Sequence, residues 1–184
     1  MSDTTGSALI DAAFAVCTAL DRAGTTAVLT GGSAATFYAP ADYQSLDLDF
    51  VITLRAPDGS GAQALLDVGY RLEGDYYVHS EWPFPLEFPP GPLMVGQDHI
   101  VHWSTHRRDG QLLHVLTPTD SVRDRLAAYL FWKDFSGLEQ ALAVARAQLA
   151  AVDIEAVESW CRNEGHLARF REFAAELLGH VPPK

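Results

Sequence analysis

The sequence predicts an α+β protein: a mixed sheet of short strands with flanking helices, followed by a wholly helical layer. Three observations carry this. Short apolar strands before residue 117 alternate with helices at irregular spacing, which suits α+β rather than a repeating α/β unit. From Pro118 onward, apolar residues recur only at helical spacing. The 184 residues are 48% hydrophobic and 20% charged, enough to bury a core, with no internal repeat at the scale of roughly 20–50 residues.

The elements follow in order. Residues 8–23 place Leu9, Ile10, Ala13, Phe14, Cys17 and Leu20 on one helical face, and Gly24 suits the position just past the helix end. Residues 26–30 read as a buried strand running into Gly31-Gly32, and residues 33–38 as a short helix stopped by Ala39-Pro40. Residues 46–53 alternate as a strand, residues 61–68 are helical, and short strands follow at 70–73 and 76–79. Five of the ten prolines fall within residues 83–92, so a strand at Leu86-Glu87-Phe88 must be short or at an edge. Strands at 100–104 and 112–116 bracket a turn at Arg108-Asp109-Gly110.

The helical part opens on Thr117-Pro118-Thr119-Asp120, an N-cap with Pro at N1 and an acid at N3. Ser136-Gly137-Leu138-Glu139 has the form of a capping box, which ends the preceding helix near Asp134. Asp153 caps a third helix reaching about Arg162. A fourth, near 166–178, is expected to bury Leu167, Phe170, Phe173, Ala174, Leu177 and Leu178. Tyr129, Trp132 and Trp160 fall at helix positions that usually pack in a core. The chain thus divides into a core at 1–116 and a helical extension at 117–184 packed on it.

Charge narrows the function. The net charge is −11, and residues 1–100 hold thirteen acids against Arg22, Arg55 and Arg71. An extended nucleic-acid footprint or a polybasic membrane patch is not expected. Cys17 and Cys161 form no paired-thiol motif, the start of the chain lacks a basic leader, and no apolar run has spanning length, so a cytoplasmic protein is expected. The seven histidines show no zinc spacing, and the GxxxxGK[ST] phosphate loop is absent.

The most informative stretch is Leu46-Asp47-Leu48-Asp49-Phe50-Val51-Ile52. In a strand, Leu46, Leu48, Phe50 and Ile52 point one way and Asp47 and Asp49 the other, with roughly 7 Å between the aspartate α-carbons. Two like charges on one face of an apolar strand repel, and a divalent cation would remove that repulsion. A wet acidic edge strand explains the same residues more blandly. Upstream, Val28-Leu29-Thr30 runs into Gly31-Gly32-Ser33 and a short helix, an element whose backbone can approach a phosphate closely. Its bland counterpart is a tight turn with Ser33 as N-cap.

Together, Val28-Leu29-Thr30-Gly31-Gly32-Ser33 and Asp47-Leu48-Asp49-Phe50 resemble the signature of the DNA polymerase β-type nucleotidyltransferase superfamily. The likeness is nearest to small prokaryotic members, including the AbiEii-like toxins of toxin–antitoxin systems. It covers about residues 26–53 and, more loosely, extends to about residue 150. It implies a nucleotidyltransferase-like mixed sheet, two Mg²⁺ ions, a nucleoside triphosphate, and transfer of a nucleoside monophosphate to an acceptor hydroxyl. By that likeness Asp47 and Asp49 are metal ligands, and Gly31, Gly32 and Ser33 form the phosphate turn. A third carboxylate completes the metal site. Glu87 is the best candidate, because apolar residues flank it, with Asp75 and Glu81 as rivals. Arg125 is the expected phosphate ligand on the helix after Pro118, although a solvated face of Arg123, Asp124 and Arg125 is the plainer reading. The acceptor stays open among a tRNA end, a protein hydroxyl and a small molecule. An antitoxin or a second copy of the chain is a possible partner, and a non-catalytic nucleotide-binding or toxin–antitoxin module is the rival function.

Overall fold

A computed structural model describes residues 4–179. Helix α1 (Thr4–Arg22) precedes β1 (Thr26–Leu29), α2 (Gly31–Tyr38), β2 (Leu48–Leu54) and α3 (Ser60–Asp67). Strands β3 (Tyr70–Glu73), β4 (Tyr76–His79), β5 (Leu86–Glu87), β6 (Met94–Val95), β7 (Asp98–His99), β8 (Ser104–Arg108) and β9 (Gln111–Val115) follow. Helices α4 (Pro118–Trp132), α5 (Phe135–Ala147), α6 (Ile154–Asn163) and α7 (Leu167–Gly179) complete the fold. Seven strands form one mixed sheet in the order β3-β4-β5-β2-β1-β9-β8, while β6 and β7 pair as a separate small hairpin. The β2–β5 and β1–β9 pairs are parallel, and the other pairs of the large sheet are antiparallel.

The core follows strand alternation. Leu48 and Phe50 are fully buried in the main cluster with Leu20, Leu29 and Leu86, while Val51, on the other face of β2, joins a second cluster with Val28, Leu93 and Leu116. Helices α4 and α5 pack on one another and both pack on α2. The expected caps form at two helices: the Thr117 side chain accepts from Asp120 N–H at 3.0 Å, and Asp153 accepts from Ala156 N–H at 2.9 Å. Arg108↔Gln111 closes the β8–β9 hairpin, with Asp109 and Gly110 both left-handed, as a two-residue primed turn requires.

Several expectations are corrected. Strand β2 starts at Leu48, so Asp47 lies just before it, and Leu46 is 82% exposed rather than packed inward. The cause is local: Ser45 N–H bonds Thr36 Oγ1, and Ser45 Oγ donates to the Asp47 carboxylate, holding the chain in a turn up to Leu48. The strand expected at 100–104 instead begins at Ser104, because pairing back from the hairpin turn ends at Ser104↔Val115. Strand β5 is short, as expected, which lets it sit between β4 and β2 in the sheet's interior. Asp134, not Ser136, caps α5, accepting from Ser136 N–H at 3.0 Å. Trp132 and Leu178 are exposed, at 76% and 72%: Trp132 is the last residue of α4, and Leu178 points away from the stripe of Phe170, Phe173 and Leu177 that α7 buries. Tyr129 and Trp160 are buried as expected.

The α4–α5 contact carries a test. A Cβ on Gly137 would lie 2.6 Å from the Arg125 carbonyl oxygen and 3.0 Å from Ala128 Cβ. We expect Gly137→Ala to force the helices apart and cost about 1–3 kcal/mol, the usual range for overpacking. Chemical denaturation checks this, and an unchanged midpoint would show that the contact relaxes freely.

Candidate active site

The site is built where β1 hands the chain to α2. Gly31, the first residue of α2, adopts φ +64°, and a Cβ there would lie 2.5 Å from Asp49 Oδ2. Both the backbone conformation and the space therefore require glycine. Pairing of Leu29 with Phe50 fixes this approach, and Thr30 N–H donates to the Asp49 carbonyl at 2.9 Å. Ser33 acts as a bracket: its hydroxyl donates to the Thr30 carbonyl at 2.8 Å and accepts from Asp49 N–H at 3.2 Å. Ser33 is fully buried, so its hydroxyl serves the joint between α2 and β2 and does not open to the cleft. Thr30, not Ser33, is the N-cap residue of α2.

Gly32 lies beneath the loop that leads to Asp47. A Cβ there would sit 2.9 Å from Ser45 Oγ and 3.0 Å from the Tyr43 hydroxyl. Since Ser45 Oγ holds the Asp47 carboxylate at 2.7 Å, Gly32 indirectly sets where Asp47 stands. Glu87 is the register partner of Asp49 across the parallel β2–β5 pair, which puts the two side chains on one face of the sheet. Asp75 lies outside the secondary strands, between β3 and β4, and Glu81 lies in the loop after β4. Neither lies on a strand that pairs with β2.

Several charges act on Asp49. Burial pushes the Asp49 carboxyl up to about 7, and the negative charges of Asp47, Glu87 and Asp124 push in the same direction, while Arg125 opposes them. A cleft of about 490 Å³ opens here, lined among others by Thr30, Gly31, Asp49, Asp124 and Arg125, with residues 89–94 as its far wall. The plainer reading of Arg123, Asp124 and Arg125 as a solvated face is overturned. Their side chains are 12%, 20% and 17% exposed, since Arg123 pairs with Asp98 and Asp120 while Asp124 and Arg125 face the cleft. Arg125 donates through Nε and Nη2 to Asp124 Oδ2, and through Nη1 to Gln140 Oε1 at 3.2 Å.

Gln140 escaped the sequence reading, which placed Asp124 only on a solvated face. Gln140 carried a readable signal, a polar residue amid Leu138, Ala141, Leu142 and Val144, all of which are buried with it. Among the described residues, no group of three Asp, Glu, His or Cys side chains forms a ready metal cage. Mg²⁺ does not require one, because it takes one or two carboxylates and fills its shell with water and phosphate oxygens. A half-buried Asp49 pressed by like charges fits that kind of partial site.

No family model matches the sequence, and no curated protein matches it. Among solved structures, the solution structure of the antibiotic-resistance factor ANT(2'')-Ia aligns over 98% of both chains, with a TM-score of 0.50 and 15% identity. A crystal structure of ANT(2'')-Ia in complex with adenylyl-2''-tobramycin aligns over 90% of this chain and 97% of that one, with a TM-score of 0.47 and 14% identity. The first likeness shows a shared fold: a mixed sheet with flanking helices, as the sequence predicts.

Two outcomes test the geometry. Gly31→Ala should lower the melting temperature and drive the Asp49 carboxylate from its place, with a cost of about 1–2 kcal/mol from the left-handed backbone alone. Asp49 tests the electrostatics. Its carboxyl is raised in the folded state, so its contribution to stability is complete below the ordinary range near 4 and is lost as pH rises through about 7. Asp49→Asn should therefore gain on the wild type between pH 4 and pH 7, then hold a constant advantage. Melting temperatures across that range check this, and a difference independent of pH would refute the raised carboxyl.

Proposed function

We propose that this chain transfers a nucleoside monophosphate from a Mg²⁺-bound nucleoside triphosphate to the hydroxyl of a small acceptor. The observation that carries the reading is the Asp49 carboxylate lodged against Gly31, with Asp47 and Glu87 bearing on it in a cleft that also holds Arg125. Its fold, shared with ANT(2'')-Ia, supports it. So does the resemblance read in the sequence, with Gly31 of the glycine turn lying against Asp49 of the Asp-x-Asp stretch.

In this reading Asp47 and Asp49 hold the Mg²⁺ ions, with Glu87 as the third carboxylate. Bound there, Mg²⁺ supplies positive charge to the phosphate oxygens and to the developing negative charge of the leaving group. The turn at Thr30 and Gly31, which lines the cleft, lets the phosphates approach the backbone. Gly32 acts through the Ser45 loop that holds Asp47. Arg125, steadied by Asp124 and Gln140, meets the phosphates from α4. The acceptor oxygen forms a bond to the α-phosphorus as the bond to the β-phosphate oxygen breaks. Pyrophosphate leaves, and Glu87 takes the acceptor's proton.

The acceptor's place is the adjoining cleft of about 460 Å³, which shares Met94, Asp124 and Arg125 with the first. Ala127, Ala128, Phe131 and Trp132 of α4, the turn between β6 and β7, and Glu164 line the rest. Arg125 is the one cation in that lining, so nothing there follows a polynucleotide backbone. A small molecule fits better than a tRNA end.

Three measurements test this. Mg²⁺ with nucleoside triphosphate should raise the melting temperature of the wild type, and Asp47→Asn should lose that increment while staying folded. Equal shifts in both proteins would remove Asp47 from the metal site. Glu87→Gln should bind the nucleotide nearly as well as the wild type yet transfer roughly 10²-fold more slowly, the scale of lost acid–base help. Finally, incubation with α-labelled triphosphates and a cell extract should label a small molecule. Label on RNA or protein would overturn the acceptor class, and no label on anything would favour the non-catalytic module.

A further inference from the structure

A third cavity lies on the other face of the sheet. Along β2, Asp49 and Val51 face the candidate active site, while Ile52 alternates to the opposite side. There, Ile52, Leu20, Thr25, Leu65, Tyr77 and Phe88 help to line a cavity of about 310 Å³, at the small end of ligand pockets. The first turn of α3 forms one wall almost without side chains, through Gly59, Gly61 and Ala62. A Cβ on Gly61 would come 3.1 Å from Thr25 Oγ1, so glycine there keeps the inner end open. Thr25 is 2% exposed and its Oγ1 already accepts from Ala56 N–H at 3.1 Å, which leaves its hydroxyl proton directed at no partner among the described residues.

Two opposite charges complete the lining, Arg55 and Asp75. Among the described residues, neither forms a salt bridge or hydrogen bond with any group, including each other. An unpaired cation and an unpaired anion at one small apolar cavity complement a ligand that carries both charges beside an apolar body. Both side chains are exposed at the cavity mouth, so an apolar chain alone would engage neither charge, and a simple anion would meet Asp75 as like charge.

We propose that this cavity binds a free amino acid with an apolar side chain: the carboxylate meets Arg55, the ammonium group meets Asp75, and the side chain enters among Leu20, Ile52, Leu65 and Phe88. The site is separate from the transfer reaction and does not depend on that reading. Phe88 follows Glu87 directly, so an occupant would touch the residue next to the third carboxylate from the far face of the sheet.

Titration calorimetry on the full chain without nucleotide tests the proposal, using L-leucine, L-phenylalanine, 3-phenylpropionate and 2-phenylethylamine. L-leucine or L-phenylalanine should bind, and the two analogues that lack one charge should bind at least 10-fold more weakly. Arg55→Gln and Asp75→Asn should each weaken amino-acid binding by 10-fold or more. Both residues are exposed, so neither change threatens the fold. Ala62→Phe, also at an exposed position, should abolish binding by filling the cavity, while Asp49→Asn should leave it unchanged. Three results would overturn the assignment: no binding by either amino acid at 10 mM (about 2.7 kcal/mol of affinity), equal binding by 3-phenylpropionate, or binding that survives Ala62→Phe. Loss of nucleotide transfer in an unrelated variant, with amino-acid binding intact, would bear on the proposed reaction alone.

Discussion

The candidate site depends on how closely the first turn of α2 can approach one carboxylate. Gly31 and Asp49 meet at a separation that no other residue at position 31 would permit. That approach is not a property of the turn alone. It is set by the antiparallel pairing of β1 with β2, which puts Leu29 opposite Phe50, and it is locked by Thr30 and the buried Ser33 hydroxyl bonding across to the Asp49 backbone. Glycine thus does two things at one position: it turns the chain and it leaves the space that Asp49 fills.

Charge in the cleft is arranged at a cost. Burial and three neighbouring carboxylates disfavour ionised Asp49, and Arg125 offsets them only in part. Arg125 is itself divided, since Asp124 and Gln140 already take three of its donors. Holding a guanidinium in a fixed orientation limits the rotamer entropy it must lose when an anion arrives. Charge in the cleft is therefore left unbalanced among Asp49, its neighbouring carboxylates and Arg125, and in the proposed reaction a cation and a triphosphate would each answer one part of it.

Much of this was legible from local sequence, and the rest was not for definite reasons. The glycine turn, the Asp-x-Asp spacing, the caps at Thr117 and Asp153 and the Asp109-Gly110 turn are all short-range signals, read within a few residues. Asp47 left the strand because Ser45 finds its partner on α2, at Thr36, which strand periodicity cannot show. The exposure of Leu178 beside the buried Leu177 depends on which side of α7 meets a neighbour. Asp124 and Gln140 matter because α4 and α5 lie together, with Gly137 pressed against the Arg125 backbone. Helical spacing reveals which residues share a face, but not what that face meets.

Glu87 shows how a weak local signal becomes a firm placement. A one-residue slip of β5 would send Glu87 to the far side of the sheet and Phe88 into the cleft. Prolines stand at both ends to limit such a slip. The Pro85 carbonyl accepts from Leu48 N–H at 2.8 Å, which anchors the start of the pairing, and Pro89 has no N–H to extend it. Between them Leu86 is fully buried opposite Leu48, so an alternative register would also expose a core leucine. The same prolines that argue against a long strand therefore specify a short one, and its brevity fixes which carboxylate faces Asp49.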